Sequence, residues 1–281
     1  MEFLEVQGAH IPVLGYGTYG MGRAEMLRMI PAALEAGFRH IDTAQSYGNE
    51  AEVGECVAAS GLPRSEVFIT TKVWVANYRK DAFRASVDES LRKLQTDHID
   101  LLLLHWPSAA VPLADQLGAL NDAVRAGKVR HIGVSNFNRA MMADAIRLSP
   151  APIVTNQVEY HPFLNQTLPL EAARRAGAAL TAYCGMAVGR VFSEPVLAEI
   201  AAAQQRTIAQ VVLRWLLQQG VVALSRSVNP ERIAANVRVF DFELSAEEMA
   251  AISALARPGS RIVDPPGLAP EWDPTPALAA G

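Results

Sequence analysis

The chain has 281 residues, of which 50% are apolar and 19% charged, with a formal net charge of -4. That apolar fraction supplies a large core and excludes wholesale disorder. With no cluster of Lys and Arg, the chain is not expected to bind nucleic acid or an anionic membrane surface, and a small molecule is the expected partner.

Taken in chain order, the N-terminus MEFLEVQGAHIPVLG has no basic segment leading into an apolar stretch. No run approaches the ~18 apolar residues of a membrane span, so a cytoplasmic protein is expected. EFLEV and HIPV flank Gly8 and predict a β-hairpin. Eight short apolar runs then recur at similar intervals: VLGYG (13–17), FRHID (38–42), VFITTK (67–72), IDLLLLH (99–105), HIGVS (131–135), IVTNQVE (153–159), ALTAY (179–183) and VVALS (221–225). Continuous apolar runs are the mark of strands buried on both faces. Between them AEMLRMIPAALEAG, DAFRASVDESLRKL and PLADQLGALNDAVRAG are apolar at i, i+3 and i+4, and two of the three end in Gly.

Strands alternating with helices predict repeated βα units around a parallel sheet, and eight of them fit a closed (β/α)8 barrel, an α/β fold of the TIM type, with the hairpin over its floor. Such barrels run about 200 to 250 residues as one unit, so one domain over residues 1–281 is expected. After Pro258, GSRIVDPPGLAPEWDPTPALAAG lacks helical periodicity and reads as an extended tail over the surface. Cys56 and Cys184 show no CxxC spacing, which predicts neither a disulfide nor a metal site. No apolar helix or coiled-coil pattern asks for a partner, so a monomer is expected.

Gly15-Tyr16-Gly17-Thr18-Tyr19-Gly20 matches GxGxxG, with Asp42 about twenty residues on. The strand before it would be the short, Pro-containing HIPVL, which argues against a Rossmann unit. The short-chain reductase pairing of Tyr with Lys four residues later is absent after every one of the six tyrosines.

Barrel enzymes place their chemistry at the C-terminal ends of strands. There Asp42 ends the second run, Lys72 the third and His105 the fourth, with Tyr47 in the loop beyond Asp42. Singly these are a helix cap, a solvated charge, a buried histidine and rim packing. A Lys directly after VFITT and a His directly after DLLLL, facing one mouth from adjacent strands, are harder to explain that way.

Around these positions the chain resembles the aldo-keto reductases. The matching pieces are Asp42-Thr43-Ala44 with Tyr47-Gly48-Asn49-Glu50, Thr71-Lys72-Val73-Trp74, Asp88-Glu89-Ser90-Leu91, His105-Trp106-Pro107, Gly133-Val134-Ser135-Asn136-Phe137, Asn156-Gln157-Val158-Glu159, and Ser227-Val228-Asn229-Pro230-Glu231-Arg232-Ile233. They run in order from about residue 11 to residue 245. The resemblance implies NADPH-dependent reduction of a small carbonyl compound, with Asp42, Tyr47, Lys72 and His105 as a catalytic tetrad. In that reading Tyr47 donates the proton, Lys72 lowers its pKa, Asp42 holds Lys72 charged and His105 aligns the carbonyl. It also implies that Ser135, Asn136 and Gln157 bind the carboxamide of the nicotinamide of NADPH, that Tyr183 stacks on its ring, and that Gly17 and Thr18 contact the cofactor. Arg226, Ser227, Val228, Arg232 and Asn236 would hold the adenosine half, with two arginines on a 2′-phosphate at a helix start. Tyr19, Trp74 and Trp106 would line an aromatic substrate pocket, covered by the tail through Arg261 and Trp272.

The chain departs from the family pattern at Arg226 (usually Lys), Ser225 (usually Pro) and Ala235 (usually Glu). Cys184-Gly185-Met186 stands where Ser-Pro-Leu is common beside the pyrophosphate, which predicts looser cofactor binding. The whole is most similar to bacterial members that reduce keto-sugars, diketogluconate and methylglyoxal-like compounds. Two other classes compete: a nicotinamide-sensing regulatory barrel, and a lyase using Lys72 as a Schiff base, which would need Lys72 neutral.

Overall fold

The computed structural model describes residues 1–274. Its chain opens with β1 (Phe3–Val6) and β2 (Ala9–Pro12), an antiparallel pair. Gln7 and Gly8 join them with φ of 47° and 82°, the paired positive values of a type I′ turn whose twist suits a hairpin. The hairpin presents Val6, Ala9 and Ile11 to Leu101, Leu103, Val154, Ala179 and Val222, sealing the floor of the sheet above it.

That sheet is a closed barrel of eight parallel strands: β3 (Leu14–Gly17), β4 (His40–Asp42), β5 (Phe68–Val73), β6 (Ile99–Leu104), β7 (Val129–Ser135), β8 (Ile153–Glu159), β9 (Ala179–Tyr183) and β10 (Val222–Ser225), with β10 returning to pair with β3. Each apolar run of the sequence becomes one of these strands, its ends moved by two residues at most. Strand alternation sets what faces inward. On β6, Leu101 and Leu103 join the interior cluster on the hairpin, while Leu102 and Leu104 join the larger core under the helices. His105, two residues beyond Leu103, therefore continues the inward row at the mouth.

Gly15 has no room for a side chain: a Cβ there would lie 2.6 Å from Leu224 Cδ2 and 2.9 Å from His40 Nδ1. The first glycine of the GxGxxG match thus serves interior packing, and the next helix does not begin until Arg23. This is the physical reason the dinucleotide fingerprint fails here.

Ten helices lie among the described residues: α1 (Arg23–Ala36), α2 (Glu50–Ala59), α3 (Lys80–Leu94), α4 (Leu113–Arg125), α5 (Arg139–Leu148), α6 (Thr167–Arg175), α7 (Pro195–Gln204), α8 (Ile208–Gln218), α9 (Pro230–Asn236) and α10 (Ala246–Ser253). Eight of them follow the eight strands, and α7 and α10 are additions that pack on each other. Gly37, at φ 109°, closes α1 in the left-handed conformation that only glycine adopts readily. Beyond α10 the chain to residue 274 forms neither helix nor strand. Among the described residues no helix is long and apolar enough to cross a membrane.

Candidate active site

Three strand ends and one turn converge at the mouth. Asp42 closes β4, Lys72 stands on β5, His105 follows β6, and Tyr47 ends a 3-10 turn, Gln45–Tyr47, that Gly48 (φ 69°) reverses into α2. Lys72 is fully buried, and its ammonium donates to Asp42 Oδ1 at 2.7 Å, to the Thr43 carbonyl at 2.8 Å and to the Tyr47 hydroxyl at 3.4 Å. All three N–H bonds are therefore used. The other Asp42 oxygen accepts from Gln157 Nε2 at 2.8 Å, and Thr18 Oγ1 donates to the Asp42 carbonyl at 3.0 Å. The His105 ring stands 5.7 Å from the Tyr47 ring and 5.4 Å from Trp74, with Ser46 Oγ 3.3 Å from its Nδ1. A hydroxyl donating to Nδ1 leaves the proton of a neutral imidazole on Nε2, where it can point to a ligand.

Burial sets the protonation states. Desolvation, then the field of Lys72, push His105 down to about 2, so it is neutral at any physiological pH. Desolvation lowers Lys72, and the Asp42 carboxylate opposes that fall. Tyr47 moves the other way from the sequence expectation: desolvation first, then Asp42 and Tyr19, raise its phenol well above 10. The reason is charge balance. Lys72 is shared with Asp42, whose own charge raises the phenol, so the ammonium does not offset the loss of water. Tyr47 accordingly stands as a neutral O–H, the form a proton donor requires.

The residues expected around a nicotinamide form one chain of hydrogen bonds with the tetrad. Tyr183 donates to Asn136 Oδ1 at 2.7 Å, Asn136 Nδ2 donates to the His105 carbonyl at 3.0 Å, and Ser135 donates to the Gln157 carbonyl at 2.8 Å. Asn136 reaches this position with φ of 63°, a left-handed conformation that Asn tolerates better than most residues. Gly17 ends β3 beside Asp42, its register partner on β4.

On the far side of the mouth, Arg226 is exposed and donates to the Gly20 carbonyl at 3.3 Å, and Arg232 is exposed on α9. Neither pairs with a carboxylate among the described residues, which suits both to a phosphate. The start of α9 is less available than expected, because Asn229 Oδ1 already accepts from the amides of Glu231 and Arg232. Val228 is exposed beside them, and Ser227 Oγ accepts from the Asn229 amide at 3.2 Å. Asn236 is buried and donates to Ser225 Oγ at 2.9 Å, so Ser225, in place of the usual proline, locks that residue. After β9, Cys184, Ala187 and Val188 all have positive φ, and Val188 is 77% exposed. A β-branched residue in that region is strained by roughly 1 to 2 kcal/mol.

Of the aromatic residues, Tyr19 stands on the rim, 69% exposed, with its ring 5.0 Å from Tyr47. Trp74 borders His105, while Trp106 is buried, its amide accepted by Tyr78 Oη and its ring 6.5 Å from Trp272. Trp106 is thus packed between Tyr78 and Trp272. Sequence reasoning missed Ser46 on His105, and it missed Gln45, which accepts from the Trp74 amide and from Asn77 Nδ2, both at 3.0 Å. A turn residue two positions before a tyrosine carries no periodic signal. Asn49 and Glu50 were visible only as part of a matching motif; they accept from Thr43 and Thr71 at 2.8 and 2.6 Å and hold the tetrad loop on the barrel.

Barrel and mouth together define a (β/α)8 protein whose interior ends in a Lys–Asp pair beneath a tyrosine and a histidine. The family model described as the aldo/keto reductase family matches residues 13–257, and the chain belongs to that family. A methylglyoxal reductase, DkgB, of Salmonella typhimurium is 41% identical over 266 residues, covering 94% of this chain and 99% of its own. An aldo-keto reductase of Mycolicibacterium vanbaalenii is 44% identical over 246 residues, covering 87% and 88%. A solved structure of a protein provisionally named 2,5-diketo-D-gluconic acid reductase B is 60% identical, with 98% of both chains covered and a TM-score of 0.96.

Proposed function

We propose that the chain reduces small aldehydes and ketones, keto-sugars among them, to alcohols with NADPH, Tyr47 being the proton donor. The observation that carries this is Lys72, wholly buried on Asp42 and in reach of the Tyr47 hydroxyl at a mouth where His105 is held neutral. NADPH, when bound, supplies the hydride to the carbonyl carbon. The protein's part is to place a phenol proton and an imidazole N–H on the carbonyl oxygen, where negative charge develops. Lys72 favours the phenolate left after the proton departs, and Asp42 keeps that ammonium in position. Ser135, Asn136, Gln157 and Tyr183 would present amide, hydroxyl and ring to a nicotinamide, with Gly17 and Thr18 at the same strand ends. Arg226 and Arg232 present cations to a 2′-phosphorylated adenosine, with Ser227 and Val228 beside them and Asn236 behind, holding Ser225.

Methylglyoxal and diketogluconate enter the reading through the names of the relatives. A monomer in the cytoplasm belongs to it as well. The Schiff-base alternative needs a free lone pair on Lys72, but its three N–H bonds are all directed at Asp42, Thr43 and Tyr47.

The test is loss of NADPH absorbance with methylglyoxal, a nitrobenzaldehyde and a diketogluconate, for the wild type and Tyr47→Phe. A positioned proton donor contributes about 10² to 10⁴ in rate, and a fall of that order is expected in the variant. NADPH binding without reduction of any carbonyl overturns the enzyme reading in favour of a regulatory barrel.

A further inference from the structure

Outside the tetrad a buried carboxylate, Glu159, is the last residue of β8 and the register partner of Tyr183 on β9. It is wholly buried. Its Oε1 accepts from the Ile262 amide at 2.8 Å and lies 2.9 Å from His161 Nε2, and its Oε2 accepts from the Val263 amide at 2.8 Å. Arg261 Nη1 is 3.9 Å from Oε2. The barrel thus grips the backbone of the C-terminal segment at one point, two residues along the strand from Gln157.

Arg261, next to that grip, lays its guanidinium 3.6 Å from the centroid of Trp272, whose indole N–H donates to Asp264 at 2.8 Å and whose ring meets Trp106. Farther on, Asp273 accepts from the amide and Nε of Arg139 at 2.9 and 3.1 Å. Between the two anchors a cavity of about 190 Å³, lined by Phe137, Gln166, Arg261 and Trp272 among others, separates the segment from the barrel. Apolar packing is therefore incomplete there, and polar anchors set the height of the segment above the mouth.

We infer that Glu159 is a positioning residue: by holding Ile262 and Val263 it fixes the strap that sets Arg261 and Trp272 as the wall of the carbonyl site beside Trp106. The argument that the wall serves a carbonyl rests on the reductase reading; the grip itself does not. Its chemistry is specific to a carboxylate. The backbone groups facing the two oxygens are donors, one on each, so an amide in place of Glu159 must turn its NH2 toward one of them, whichever way it rotates.

The experiment compares the wild type with Glu159→Gln and Trp272→Ala by backbone amide exchange and by steady-state kinetics. A hydrogen bond to a charged group is worth about a ten- to hundredfold shift in an opening equilibrium. Glu159→Gln should speed exchange at Ile262 and Val263 by that factor, raise KM for a diketogluconate roughly tenfold, and leave kcat and the NADPH Kd within about twofold. Trp272→Ala, which leaves the grip intact, should raise the same KM without changing exchange at those amides, and it decides the question if Glu159→Gln does not fold. Unchanged exchange in Glu159→Gln, or faster exchange with an unchanged KM, overturns the inference. If the wild type reduces no carbonyl, the reductase reading fails, and the exchange result still decides the grip.

Discussion

Replacing Asp42 by Asn removes one negative charge from beneath a fully buried ammonium while keeping the shape of the side chain. At the 2.7 Å separation and an effective dielectric of 20, the Lys72–Asp42 attraction is about 6 kcal/mol. Much of that offsets the desolvation of both ions, and breaking such a pair by losing one partner costs about 3 to 5 kcal/mol. For a chain of this size the change corresponds to a fall in Tm on the order of 10 °C. The second Asp42 oxygen accepts from Gln157, so the variant also sets an NH2 against an NH2 unless Gln157 rotates. Thermal unfolding followed by circular dichroism measures the loss, and pH identifies its cause. Lys72 without its partner has a folded pKa depressed further below the unfolded value of about 10.4; stability is then lost as pH falls below that value, so the variant should gain on the wild type between pH 7 and 10. Asp42→Asn with Lys72→Met, which leaves no charge to compensate, should recover most of the stability and none of the activity. A double variant as unstable as the single one would refute the claim that charge compensation holds the pair.

Arg232→Ala should cut the preference for NADPH over NADH by about ten- to hundredfold, read as the ratio of kcat/KM values; an unchanged ratio removes Arg232 from the cofactor site. His105 is depressed to about 2 in the folded state, so the unfolded chain takes up its proton first and stability drains away below about pH 6.5. His105→Gln lacks that contribution and should lose about 2 kcal/mol less than the wild type between pH 6.5 and 4.5 in urea titrations; parallel curves would show that His105 is not buried neutral. Two glycine variants test the packing: Gly118→Ala, exposed on α4 with open space around it, should stabilise by about 0.5 to 1 kcal/mol. Gly54→Ala, whose Cβ would press on the backbone of Lys93 and Leu94, should destabilise by about 1 to 3 kcal/mol or more, and equal Tm values for the pair would contradict the close approach of α2 and α3.

The barrel was legible because a strand buried on both faces tends to be a continuous apolar run, and most of the eight runs met that condition; FRHID and IVTNQVE, with polar residues inside, stood out by their place in the regular series. That Asp42, Lys72 and His105 gather at one mouth was legible because polar residues at the ends of such strands stand out; Tyr47 joined them only through the family resemblance. What the sequence did not carry was the effect of burial on charge. Tyr47 beside a lysine reads as an acidified phenol, but Asp42 neutralises that lysine, and only the three-dimensional arrangement brings the two within 2.7 Å of each other. Nor could it show that Asn229 occupies the first amides of α9, since capping depends on one side-chain rotamer. Glu159 sits inside a matched motif, yet its partners lie more than a hundred residues away in a segment without periodicity.

The hairpin over the floor completes a barrel that is closed at its lower end. With Val6, Ala9 and Ile11 packed under Leu101, Leu103, Val154, Ala179 and Val222, the lower interior is solid side chain, and water displaced from around Asp42 and Lys72 leaves by the mouth. Two short strands on the side of the molecule away from the mouth thereby help keep bulk water off the underside of a buried ion pair.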